Sequence, residues 1–234
     1  MNLDALQDID RQLLLWFNGS QSLYLDGLVK TLTTAATWIP LYVSLFYLVI
    51  RNNDSVRKIL TIVACAGLCV LLAGTIDDEI VKPLVARWRP TRDPQIGSLV
   101  DVVNDYRSGN YGFFSAHASN TFSIAIFFCL LVRSRLMSIS MVLWSLTNCW
   151  TRLYLGVHFP GDILVGLLWG GLCGTLVYML YRRLVPQPVH VHSTQSSPLT
   201  PSGYQFSDID VVVAVLLFTV VYALLRSCFM LYIN

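Results

Sequence analysis

Three short stretches of this chain hold side chains that could do chemistry together: KPLVARWRP at residues 82–90, YGFFSAH at 111–117 and TRLYLGVHFPGD at 151–162. They carry the cations Lys82, Arg87, Arg89 and Arg152, the histidines His117 and His158, and the acid Asp162. Histidine titrates near neutral pH, so it can serve as base, acid or nucleophile. Guanidinium forks match phosphate oxygens two at a time. Ser115, with Gly112 and Ala116 beside it, opens an apolar run predicted to be helical. Free N–H groups at such a helix start form a natural anion seat. Asp162 follows His158 by four residues, a spacing that lets the carboxylate fix the ring's tautomer. The inventory is that of an anion site with two histidines and one acid. Cations at the ends of apolar stretches also snorkel to headgroups. For Arg87, between Ala86 and Trp88, both readings stay open.

The elements that must position these groups are membrane helices. Hydrophobic residues make up 55% of the 234 and charged ones 13%, about half the ~25% of a soluble domain. A span needs about 20 mostly apolar residues. That length predicts crossings at 31–50, 59–77, 118–133, 136–152, 162–181 and 210–232, an all-α polytopic bundle of about six helices. Ahead of them, residues 4–18 place Leu6, Ile9, Leu13, Leu14 and Phe17 among acids and glutamines. This amphipathic spacing fits a helix lying at the membrane interface and equally a surface helix packed on the bundle.

Arg51, Arg57 and Lys58, then Arg133 and Arg135, then Arg182 and Arg183 occupy alternate short loops. The positive-inside rule makes their side cytoplasmic, with 82–117 and 153–161 on the opposite face. All three chemical clusters fall on that opposite face. A formal charge of +2 gives no basic field of the kind a nucleic acid would require.

The first residues, with Asp4, Asp8, Asp10 and Arg11, do not read as a cleavable leader. The chain reads as one membrane-embedded domain, 1–234, with a flexible cytoplasmic linker at 184–209 rich in Pro, Ser, Thr and Gln. His190 and His192 on that linker read as solvated residues. Cys65 and Cys69, one helical turn apart, read as packing residues, because no His or acid shares their run. Asp77, Asp78 and Glu79 read as partners for nearby Arg and Lys, not as a metal site, and no cofactor or metal is expected.

With Lys82, Arg89 and Pro90, then Ser115 and His117, then Thr151, Arg152, His158 and Asp162 on the page, the chain resembles the type 2 phosphatidic acid phosphatases. That family shares an active site with the vanadium haloperoxidases. Its first motif, Lys, six residues, Arg-Pro, is matched in full. Its second, Pro-Ser-Gly-His, reads Phe114-Ser115-Ala116-His117, and in its third Thr151 stands for serine. None of these departures removes a charged or proton-carrying group.

The resemblance implies His158 as nucleophile, Asp162 as its orienting acid and His117 as proton donor. Lys82, Arg89, Ser115, Ala116 (through its N–H) and Arg152 are implied as phosphate binders. It implies a lipid phosphate as substrate and the bilayer as partner. The expected place is the inner membrane, with the site facing the periplasm. Within the family the second motif resembles bacterial members. Lipid A phosphate, notably at the 4′ position, is the first candidate; undecaprenyl pyrophosphate and phosphatidylglycerol phosphate are the others. Loop 91–110, with Arg92, Asp93, Asp101, Asp105, Tyr106 and Arg107, is expected to shape that choice. Readings of another class are a lipid transporter or scramblase and a non-catalytic membrane anchor. Against a transporter stand the absence of a paired repeat with broken helices and the clustering of charge on one face.

Overall fold

The computed structural model describes residues 3–185 and 198–233. Among them the fold is all-α, with β pairing confined to two isolated bridges, Trp88 to Tyr111 and Leu199 to Gln205. His190 and His192 lie outside the described residues.

Helix α1, Leu3–Phe17, precedes the bundle. Its amphipathic spacing serves both purposes left open by the sequence. One face docks: Leu14 is fully buried with Ile96, Val100 and Phe159, and Arg11 pairs with Asp93. Another face leaves Leu6, Ile9, Leu13 and Trp16 exposed as a stripe at three- and four-residue spacing.

The expected span 31–50 is a broken pair, α2 (Leu23–Thr33) and α3 (Ile39–Arg51), bent by 68°. The cause is local. Thr34 is extended, a 3₁₀ turn covers Ala35–Trp38, and Pro40 in the first turn of α3 has no N–H to carry α2 onward. The Thr37 hydroxyl and Trp38 Nε1 donate to the freed carbonyls of Thr31 and Leu32, at 2.7 and 2.8 Å, so the break leaves them satisfied.

Helix α4, Val56–Thr75, continues through a π turn at Ile76–Val81 into the short α5, Lys82–Val85. Pro83 opens α5, and Ala86, left-handed at φ 50°, closes it. Helices α6 (Ala116–Val132) and α7 (Arg135–Tyr154) are joined by a tight turn. Helices α8 (Pro160–Leu184) and α9 (Phe206–Ile233) complete the bundle.

Three described stretches are long and apolar enough to cross a membrane: Val56–Val85, Pro160–Leu184 and Phe206–Phe229; the bent α2–α3 pair makes a fourth if it counts as one crossing. Helix α6 has 17 residues, and α7 has 20 but carries Arg135, Asn148 and Arg152. The expected number of six spans depends on these two.

The described end of the expected linker is ordered. Residues 198–205 form a turn in which Tyr204 is buried and bonded by Asn53, while the Ser202 hydroxyl donates to Val132 O at 2.5 Å. The composition of the segment concealed this, because one buried tyrosine anchors the turn.

Helix α8 has two opposite faces. Gly166, Gly170 and Gly174 lie against α6, where a Cβ would come within 2.8, 2.4 and 2.5 Å of the carbonyl oxygens of Ser115, Ser119 and Ser123. Only glycine permits that approach. On the other side Leu164, Leu168, Leu172 and Leu176 are exposed. Similar exposed residues on α3, α4 and α9 form the apolar surface expected against lipid.

Candidate active site

The three clusters meet at one end of the bundle. Helices α4 and α5 arrive there, α6 and α8 begin there, and α7 ends there. The basic loops around Arg57, Arg133 and Arg182 sit at the opposite ends of the same helices.

Beyond Ala86 the chain is extended and zipped to residues 110–112. Arg89 N donates to Asn110 O and Gly112 N to Arg87 O, both at 2.9 Å, with the Trp88–Tyr111 bridge between them. Side chains two apart on an extended chain share a face, so Arg87 and Arg89 both turn toward the site. Arg89 is buried; its Nη1 donates to Val157 O and to His158 Nε2, at 2.9 Å in each case. Burial lowers the Arg89 pKa from its ordinary value, but a guanidinium stays charged at physiological pH.

His158 sits on the turn before α8, not on the helix itself, because Pro160 begins the helix and Phe159 is its N-cap. Asp162, in the first turn, is fully buried and accepts from Phe159 N through Oδ2 at 2.9 Å. The same Oδ2 lies 3.6 Å from His158 Nδ1, beyond hydrogen-bond length but facing it. His158 is itself buried, and burial pushes its imidazole down to about 4. It is a neutral ring at neutral pH. Its Nδ1 faces a carboxylate, and its Nε2 accepts from Arg89.

His117, second residue of α6, is exposed at the mouth of the site. Its Nε2 is 3.4 Å from Arg152 Nη1. Arg152 is buried near the end of α7; it also bonds the Tyr106 hydroxyl at 3.3 Å and lies 5.7 Å from the centre of that ring. Ser115 caps α6, its hydroxyl accepting from Ala118 N and its N–H donating to Asp162 O at 3.1 Å. Ala116 opens the helix. Lys82 is engaged by the buried Asp77 at 2.8 Å and by Asp78. Arg89 Nε and Arg152 Nη2 are buried without a hydrogen-bond partner. Such donors are suited to an anion's oxygens.

Gly112 packs into this cluster: a Cβ there would stand 3.1 Å from Arg89 Cγ, 3.4 Å from Asp162 Oδ2 and 3.6 Å from His158 Nδ1. The sequence marked Gly112 only as neighbouring backbone. It left Arg87 undecided. Arg87 pairs with Asp162 Oδ1 at 2.7 Å and Asp10 Oδ2 at 2.6 Å, over the ring of Phe159 at 4.2 Å. Asp10 was missed, although its three- and four-residue spacing from Leu6, Leu13 and Leu14 sets it on the apolar side of α1, away from Asp4 and Asp8.

Fold and site define a phosphoric ester hydrolase built into a membrane. The sequence pattern of the PAP2 superfamily matches residues 58–186. The chain belongs to that superfamily. It is 41% identical over 183 residues to a lipid A 4′-phosphatase of Bacteroides thetaiotaomicron, covering 78% of this chain and 81% of that one. It is 32% identical over 181 residues to a lipid A 4′-phosphatase of Porphyromonas gingivalis, covering 76% and 75%. The fold matches the crystal structure of a transmembrane PAP2-type phosphatidylglycerolphosphate phosphatase from Bacillus subtilis. The TM-score is 0.60 at 19% identity, covering 80% of this chain and 91% of that one.

Proposed function

We propose that this membrane lipid phosphatase removes the 4′-phosphate of lipid A through a phosphohistidine at His158. The chemistry rests on one observation above the others: a buried neutral His158 with Nε2 2.9 Å from Arg89 and Nδ1 facing Asp162. The substrate rests on the two lipid A 4′-phosphatase relatives.

In the first step Arg89 Nη1 passes from His158 Nε2 to a phosphoryl oxygen, the freed Nε2 lone pair attacks phosphorus, and the P–O bond to the lipid breaks. His117 gives a proton to the leaving oxygen. Asp162 balances the charge of the resulting phosphoimidazolium at the Nδ1 side. In the second step water attacks phosphorus as His117 takes its proton, the P–N bond breaks with its electron pair returning to Nε2, and inorganic phosphate leaves with His158 neutral again. Arg89, Arg152, Lys82, the Ser115 hydroxyl and the Ala116 N–H bind the phosphoryl oxygens through both transfers. The positive-inside rule, applied to the basic loops, supports a cytoplasmic position for the opposite ends of the helices. The site then opens at the periplasmic leaflet of the inner membrane, with 184–209 on the cytoplasmic side.

Deletion of the gene in its native host is expected to leave lipid A with one added phosphate in the mass spectrum. The purified protein should release inorganic phosphate from lipid A faster than from undecaprenyl pyrophosphate or phosphatidylglycerol phosphate. An unchanged lipid A profile with undecaprenyl pyrophosphate accumulating would transfer the assignment to that lipid. No phosphate from any of the three would leave a transporter or anchor.

The pH dependence follows from His158. Only the neutral ring attacks, so activity is lost as pH falls through its pKa. With that pKa near 4, kcat on p-nitrophenyl phosphate should stay roughly constant between pH 6.5 and 5.5. A ring at the ordinary 6.5 would lose about four-fifths of its neutral form between pH 6.5 and 5.5, and more below. A fall of that size across the interval would contradict the assignment.

A further inference from the structure

Arg87 lies between two carboxylates, Asp10 of α1 and Asp162 of α8, and makes its shortest contacts to them. We propose that Arg87 is a positioning residue which, pinned by Asp10, aligns Asp162 against His158, so that helix α1 is a working part of the active site. This rests on His158 being the nucleophile.

Several contacts support it. Arg87 takes Asp162 Oδ1, leaving Oδ2 for Phe159 N and the His158 ring. The carboxylate is therefore held at both oxygens, and its rotation is fixed. Arg87 cannot do this loosely, since its other arm is tied to Asp10 Oδ2 and its plane lies on Phe159. Asp10 is in turn fixed by its Oδ1, which accepts from Gly161 N at 2.7 Å, one residue before Asp162. Asp10 thus touches both the backbone that carries Asp162 and the cation that orients it. Arg11–Asp93 and buried Leu14 hold α1 in place for this contact. Residue 10 also lies outside the stretch matched by the superfamily pattern, 58–186, so the contact adds an element that the pattern does not contain.

The charged and titratable groups around the His158–Asp162 pair come from every neighbouring element. Arg87 and Arg89 come from the extended stretch, Lys82 and Asp77 from the α4–α5 end, His117 from α6, Arg152 from α7, Tyr106 from the loop and Asp10 from α1. Removing one cation from this set favours the protonated form of His158. A role limited to docking α1 would lower the amount of folded protein and leave kcat per folded molecule unchanged.

The test uses the full chain in detergent with p-nitrophenyl phosphate, a soluble substrate that keeps lipid presentation out of the rate. The cleft beside the pair, about 420 Å³ and lined by Leu6, Gln7, Val85 and Phe113, is open, so a shorter side chain leaves no sealed void. Arg87→Gln is expected to lower kcat by ~10- to 100-fold, the range for second partners of working histidines. KM should change little, and the acid limb of the pH profile should move to higher pH. Asp10→Asn, which keeps the side-chain shape, should lower kcat by less and, because it removes an anion and not a cation, should not move the acid limb to higher pH. The double variant should be no worse than Arg87→Gln, and Arg87→Lys should recover part of kcat. Wild-type kcat and an unmoved acid limb in Arg87→Gln would overturn the proposal while leaving the phosphatase intact. So would a loss confined to KM, or additive losses in the double variant. An inactive wild type would overturn both.

Discussion

Replacing His158 with alanine is expected to reduce phosphate release by roughly a million-fold, the scale on which nucleophile removal acts in other two-step enzymes, and to remove any acid-labile phosphoenzyme. The expected size follows from the placement of the ring. His158 is buried and neutral, bonded by Arg89 at Nε2, with the Asp162 carboxylate facing Nδ1 at 3.6 Å. His117, the other ring of the site, is exposed and lies against Arg152 at the mouth, where it can move protons but has no carboxylate behind it. A water molecule taking the place of His158 would lose the covalent step altogether. Quench-flow trapping of labelled phosphate on the protein, beside steady-state release, measures both quantities. Near-normal release by the alanine variant would move the nucleophile elsewhere.

Arg89→Ala is the second large effect, expected at about a thousand-fold or more in kcat, comparable to the loss of a transition-state arginine elsewhere. Arg89 does two things at once. Its Nη1 fixes the turn through Val157 O and donates to His158 Nε2, the nitrogen proposed to attack, while its unpartnered Nε is free to meet a phosphoryl oxygen. Alanine removes all of these and leaves a buried histidine nitrogen unpaired. Arg89→Lys should retain a fraction of the activity, because an ammonium restores charge but cannot fork. Comparing kcat for the two variants separates charge from geometry. Equal loss in both would mean that charge alone restores nothing and the fork carries the effect; wild-type activity in both would mean that neither acts on the phosphoryl group.

Much of this site was legible in the sequence because its groups are local. Lys82 to Arg89, Ser115 to His117 and Arg152 to Asp162 each lie within one short stretch at a helix end, where type and spacing can be read directly. The all-α membrane architecture was legible for a similar reason, since long apolar runs have few other solutions. What stayed hidden depends on distant contacts or on local breaks. Asp10 is 152 positions from Asp162; its place among Leu6, Leu13 and Leu14 sets it apart from Asp4 and Asp8, but names no partner across that distance. The bend between α2 and α3 turns on the extended Thr34 and on Pro40, which an apolarity count passes over. The ordered turn at 198–205 turns on one buried tyrosine inside a composition that otherwise reads as linker.

The two faces of α8 divide the chain's freedom to change. Along Leu164, Leu168, Leu172 and Leu176 the requirement is only solubility in hydrocarbon, so many residues would serve there, and the protein could adapt to a thicker, stiffer or colder bilayer by drift at those sites. Along Gly166, Gly170 and Gly174 no such drift is open, because any added carbon separates the helix bearing Asp162 from the helix bearing His117. The enzyme's natural history should therefore be written on one side of this helix and almost blank on the other.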